Sequence, residues 1–170
     1  MKKEILRKLK NSKMSFSEKK IISEIINYAK LIDNSGLNRG TSGNLSHRFK
    51  DGFFITPSAI KSGELKNKDI VFIDKNSAYH HQLKPSSEWQ LHEEIYKNFK
   101  VNAVIHTHST YSSAFSCLQK NLPAFHYMIA IFGGENVRCT RYETFGTKNL
   151  LMPPLKHWMV EMHVCSLTMD

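Results

Sequence analysis

Two histidines alternate in Ala103-Val104-Ile105-His106-Thr107-His108, a run whose apolar β-branched residues favour a strand. Side chains two apart on a strand point to the same face, so both imidazoles are placed to share one metal ion. The same pair also suits a strand end whose rings are satisfied by backbone or water, and zinc would need a third protein ligand that the pair does not supply. A second constellation is Pro85-Ser86-Ser87-Glu88-Trp89-Gln90-Leu91-His92. As structure it opens a helix, with Glu88 favouring the positive end of the dipole. As chemistry, free N–H groups and two hydroxyls at a helix start suit a phosphate, and the adjacent carboxylate suits a general base or a metal ligand. Two more turns, Gly40-Thr41-Ser42-Gly43-Asn44 and Thr56-Pro57-Ser58-Ala59, are rich in small hydroxyl and amide residues whose backbone can cradle an anion. Three such turns beside a His-x-His pair point to a phosphorylated substrate bound near a metal.

These segments need elements to hold them. Ile21, Ile22, Ile25, Ile26, Ala29 and Ile32 recur at helical spacing between Ser15 and Ser35, with Ser15 or Ser17 as N-cap and Gly36 as the stop. Strands are predicted over 45–49 and 53–56, joined by the Asp51-Gly52 turn, and again over 69–74 and 101–108. Helices are predicted from Pro85 to about Phe99 and over 109–118. Interleaved helices and strands without a repeat or a linker read as one α/β domain.

Composition narrows the class. The chain has 170 residues, 41% hydrophobic and 23% charged, the balance of a globular domain able to bury a core. No apolar run is long enough to span a membrane, and the N-terminus is too charged for a signal-peptide core. Three cysteines, Cys117, Cys139 and Cys165, form no Cys-x-x-Cys pair, which fits a reducing cytoplasm and excludes a disulfide scaffold. The net charge of +9 is uneven: residues 1–20 hold eight Lys or Arg against two Glu, leaving +3 for the remainder. A basic arm of that kind reads as a solvated helix face, and the lack of an aromatic-rich basic stripe argues against a nucleic-acid partner.

Six ordered segments, NRGTSGNLS, ITPSAI, KPSSEWQLHEEIY, AVIHTHS, PAFHYMIA and YETFGT, resemble the pattern of the class II aldolase/adducin-head family over about residues 17–150. The resemblance implies a single α/β/α layered domain on a largely antiparallel sheet, assembled as a homotetramer with sites between subunits. It implies Zn2+ as cofactor with His106 and His108 as ligands, and Glu88 as the catalytic carboxylate that also approaches the metal. Gly43, Asn44, Ser58, Ala59, Ser86 and Ser87 match the binders of the substrate phosphate. Ala59 stands where the aldolase pattern it most resembles has glycine, which keeps backbone N–H contacts available. Tyr127 matches a proton donor serving the neighbouring subunit's site. The activity implied is cleavage of a ketose 1-phosphate, a phosphorylated sugar, to dihydroxyacetone phosphate and an aldehyde. Pentulose-phosphate 4-epimerases share the fold but show Ser-Ser-Asp where this chain has Ser86-Ser87-Glu88, which favours the aldolase. A metal-free interaction module like the adducin head would have no need of Glu88, His106, His108 and Tyr127.

The resemblance stops near Leu150, so the expected domain is 1–150, with 1–20 as its basic arm and 151–170 as an atypical tail. Four of the seven methionines lie in that tail, and Pro153-Pro154 falls where the family has a helix. We read the tail as out of frame from just before Met152. In the alternative frame the codons of His157-Trp158, Trp158-Met159, Met159-Val160, Met162-His163 and Met169-Asp170 force Leu, Asp, Gly, Ala and Gly. The family's third zinc-binding histidine would then fall across Thr168 and Met169. The expectation for the chain as written is an incomplete, weakly stable domain without activity.

Overall fold

The computed structural model describes residues 15–132 and 135–139. Its first element, α1 (Phe16–Asn34), begins at a reciprocal capping box: the Ser15 hydroxyl accepts from the Glu18 N–H, and the Glu18 carboxylate accepts from the Ser15 N–H. The predicted apolar stripe is the buried one, comprising Ile22, Ile25, Ile26, Ala29 and Ile32, with Ile21 at its margin. Gly36 stops the chain with φ +76°, a conformation glycine adopts without steric cost.

A four-stranded antiparallel sheet follows, built from β1 (Asn44–Phe49), β2 (Gly52–Ile55), β3 (Val71–Ile73) and β4 (Ala103–His106), in the order β3-β2-β1-β4. The turn expected at Asp51-Gly52 falls one residue earlier: Lys50-Asp51 joins β1 to β2, Lys50 taking φ +53°, and Gly52 pairs with Phe49 as the first residue of β2, in the register Ser46↔Ile55 and Arg48↔Phe53. On its other side β1 pairs Asn44↔His106 and Ser46↔Val104. Alternation sends Leu45, Phe54 and Ile105 to one face, where they meet α1, Leu65 and Ile70. It sends Phe53, Ile55, Val71, Ile73 and Val104 to the other, against Ile95 and Tyr96 of α2 (Trp89–Asn98). The domain is therefore an α/β/α sandwich on an antiparallel sheet, with a separate apolar core on each side.

Several predicted boundaries move: the strand expected over 69–74 is confined to Val71–Ile73 after a 3-10 turn at Asn67–Asp69, and two further shifts bear on the site. The helix expected from Pro85 starts at Trp89, because residues 85–86 extend alongside residues 56–58 instead of coiling. The strand expected over 101–108 closes at His106, and residues 107–109 are irregular. Beyond α3 (Thr110–Ser116), the two-residue strands β5 (Leu122–Pro123) and β6 (Asn136–Val137) pair, and Tyr127–Phe132 forms a 3-10 turn. The basic arm through residue 14 and the 151–170 tail lie outside the described residues. Among the described residues no helix is long and apolar enough to cross a membrane.

Candidate active site

Three turns converge at one end of the sheet because backbone bonds lace them together. Thr56 donates its N–H to the Leu45 carbonyl, and its hydroxyl accepts from the Leu45 N–H. Ser86 donates its N–H to Thr56, and Ser58 donates its N–H to Lys84, on either side of a Pro57↔Pro85 bridge. The loops holding Gly43 and Asn44, Ser58 and Ala59, and Ser86 and Ser87 are thereby neighbours. Ser58, Ala59 and Ser87 are exposed and Ser86 is buried. Because the Ser58 N–H is spent on Lys84, its hydroxyl is the group it can offer a ligand. Ala59 adopts φ +62°, which turns the chain sharply at the rim of this cradle.

Glu88 occupies the N-cap position of α2, yet its side chain makes no cap bond there. The carboxylate turns toward the sheet instead. Its Oε2 accepts from Asn44 Nδ2 at 2.6 Å and stands 2.8 Å from Nδ1 of His106. That second approach is within ion-pair distance but off-line for a hydrogen bond, so the buried His106 Nδ1 has no hydrogen-bond partner. Burial on its own would raise the Glu88 pKa. The neighbouring His106 and His108 rings and the Asn44 amide outweigh it and bring the value from 4.5 down to about 2.

His108 lies past the end of β4 but is returned to the site by its own backbone. Its N–H donates to the Leu37 carbonyl at 3.1 Å and to Asn38 Oδ1 at 2.8 Å. The rings of His106 and His108 stack 4.6 Å apart with 25° between their planes. Burial, then the nearby His106, lowers the His108 pKa against the opposing pull of Glu88, favouring the neutral, ligating form. One ligand atom each from Glu88, His106 and His108 lies within 4.8 Å of the others. Two imidazole nitrogens and a carboxylate oxygen form a zinc-type donor set, and the orphaned His106 Nδ1 beside Oε2 is satisfied when a cation sits between them. The residues present fit a divalent metal.

Tyr127 is not drawn into this cluster. It is 77% exposed, and its ring packs on His126 with centroids 4.4 Å apart. Three contributors were given no role in the sequence reading: Asn38, which anchors His108, and the buried Ser46 and His92 behind Asn44. His92 sits one helical turn beyond Glu88, and that four-residue spacing was the available signal.

Residues 23–164 match the family described as the class II aldolase and adducin N-terminal domain, and the chain belongs to it. It is 46% identical over 127 residues to a 5-methylthioribulose-1-phosphate/5-deoxyribulose-1-phosphate aldolase of Rhodospirillum rubrum, covering 74% of this chain and 58% of that protein. It is 42% identical over 132 residues to the L-fuculose phosphate aldolase of Escherichia coli K12, covering 77% of this chain and 61% of that one. Among solved structures, an L-fuculose 1-phosphate aldolase superposes with a TM-score of 0.75 at 38% identity, over 87% of this chain and 69% of the other. The chain thus spans about three-fifths of the length of these curated relatives.

Proposed function

We propose that the site belongs to a zinc-dependent aldehyde-lyase that cleaves a ketose 1-phosphate to dihydroxyacetone phosphate and an aldehyde. The observation that carries this reading is the meeting of Glu88, His106 and His108 beside three interlaced turns rich in hydroxyls. Ser58, Ser86 and Ser87, with Gly43 and Asn44 alongside, hold the phosphate and so fix the reacting carbons relative to Glu88. Bound zinc supplies a Lewis acid for the carbonyl end of the substrate. Glu88, ionised at neutral pH, moves the proton at the carbon of the dihydroxyacetone phosphate half where the carbon–carbon bond breaks. Tyr127, on its exposed turn, serves the aldehyde half in a neighbouring subunit of a cytoplasmic homotetramer.

Two sugars are favoured by the relatives. Similarity in sequence and structure to L-fuculose phosphate aldolases supports L-fuculose 1-phosphate. The 46% identity to the Rhodospirillum enzyme supports a 5-deoxypentulose 1-phosphate. The test is release of dihydroxyacetone phosphate from both, read by coupled reduction with zinc-loaded protein. Because the third imidazole expected of the family falls outside the described residues, direct calorimetric binding of dihydroxyacetone phosphate is measured in parallel. The reading expects zinc-dependent binding even where the chain as written does not turn over, and any cleavage it does support to be lowered at least 100-fold in Glu88→Gln, the low end of a positioned acid or base. Absence of both cleavage and zinc-dependent binding would refute it.

A further inference from the structure

Behind Glu88 a line of polar side chains runs into the core that the α2 helix shares with the sheet. Asn44 and Ser46 lie two apart on β1, and Glu88, His92 and Tyr96 lie four apart along α2. Two strand residues advance about 6.8 Å and four helical residues about 6 Å, so the two rows stay in step. They interdigitate: Tyr96 Oη lies 2.8 Å from Ser46 Oγ, Ser46 Oγ lies 2.6 Å from His92 Nδ1, and His92 Nε2 bonds Asn44 Oδ1. Asn44 Nδ2 then reaches Glu88. Ser46 and His92 are both 0% exposed, and Ser46 sits between Ile55 and Val104 where the sheet pattern calls for an apolar side chain.

The donor directions in this line follow from its end. An ionised Glu88 only accepts, so the Asn44 amide turns its NH2 to the carboxylate and its oxygen to His92. His92 must then donate from Nε2 and accept at Nδ1, which takes the Ser46 proton and leaves Ser46 to accept from Tyr96. Every N–H and O–H points toward Glu88. The enclosure that keeps the His92 ring uncharged, with a pKa lowered to about 3 by burial and by nearby His106, is consistent with a fixed neutral tautomer.

We propose that His92 is a positioning residue: as the Nε2–H imidazole between Ser46 and Asn44, it locks the Asn44 amide so that the Glu88 carboxylate, which has no helix-cap bond of its own, is presented to the metal in one orientation. This rests on the functional reading above for its purpose, but its geometry can be measured without turnover.

The experiment uses the full chain, with zinc alone as probe, together with His92→Leu, His92→Gln and Ser46→Ala. Long-range proton–nitrogen spectra of the parent should show His92 as a single Nε2–H tautomer between pH 6 and 8. An Nδ1–H tautomer overturns the proposal. Glutamine can donate to Asn44 and accept from Ser46, so His92→Gln should hold zinc within about threefold of the parent. His92→Leu should weaken zinc 10- to 100-fold, the usual loss when a partner behind a metal ligand is removed. Ser46→Ala, a smaller change in the same line, should weaken zinc in the same direction and loosen the tautomer preference if the leucine variant does not fold. Equal zinc affinity per folded molecule in the parent and the variants would leave His92 only structural and overturn the proposal. A chain that passes these tests yet neither cleaves a ketose 1-phosphate nor binds dihydroxyacetone phosphate refutes the functional reading alone.

Discussion

Acid should unfold the metal-free domain through a residue that never touches solvent. His92 is fully enclosed, with Ser46 on one nitrogen and Asn44 on the other, and burial lowers its pKa from 6.5 to about 3, with His106 adding to the effect and Glu88 opposing it. The unfolded chain therefore binds a proton near pH 6.5 that the native state refuses until about pH 3. Stability is complete above pH 6.5 and falls as pH drops through this window, by about 1.4 kcal/mol per pH unit. The whole gap corresponds to about 5 kcal/mol, comparable with the entire stability of a marginal domain. Glu88, held near pKa 2, loses its own contribution as pH falls below about 4.5, and the lowered His108 acts in the same sense as His92. The slope difference between the parent and His92→Gln isolates the buried ring. Urea unfolding with chelator present, at half-unit steps from pH 7.5 to 5, should show the parent losing about 1.4 kcal/mol more per pH unit below 6.5 than the variant. Slopes that run parallel would refute the reasoning, whatever the absolute stabilities.

Two other perturbations test the supports of the site. Gly43 adopts φ +72° with the Asn38 side chain where a Cβ would stand, so Gly43→Ala should cost about 2–3 kcal/mol, through left-handed strain and displacement of Asn38 from the His108 N–H. An unchanged urea midpoint would show that the loop yields freely. Arg48 donates Nε to the Val101 carbonyl and Nη2 to the Tyr96 and Phe99 carbonyls, binding the end of α2 to β1. Arg48→Met, which keeps much of the aliphatic stem, should destabilise by about 3 kcal/mol in the same assay.

What the sequence made legible divides along a physical line. The isoleucine stripe of α1 and its serine cap involve neighbours within a turn or two, and the structure keeps them, choosing Ser15 of the two serines on offer and adding Glu18 as its reciprocal partner. The β1–β2 hairpin is equally local, although its turn is Lys50-Asp51, one residue before the expected Asp51-Gly52. The approach of His106 and His108 was foreseen from alternation, but the cause differs: β4 ends at His106, and Asn38, 70 residues away in the chain, brings His108 back. Glu88 was readable as chemistry or as a helix-dipole residue, and the choice between them depends on Asn44, which lies 44 residues earlier. Ser46 was hardest to see. In Leu45-Ser46-His47-Arg48-Phe49, alternation suggests one apolar face and one wet face, and a serine on the wet face raises no question. Here helices cover both faces of the sheet, so a polar side chain on the second face must find a partner or forfeit its hydrogen bonds. Asn44, Ser46 and Arg48 occupy successive positions on that face, and their partners lie on or beside α2: Glu88 and His92, then His92 and Tyr96, then the carbonyls at the helix end. Once a sheet is known to be covered on both sides, its polar positions become the places to look for what aligns the site.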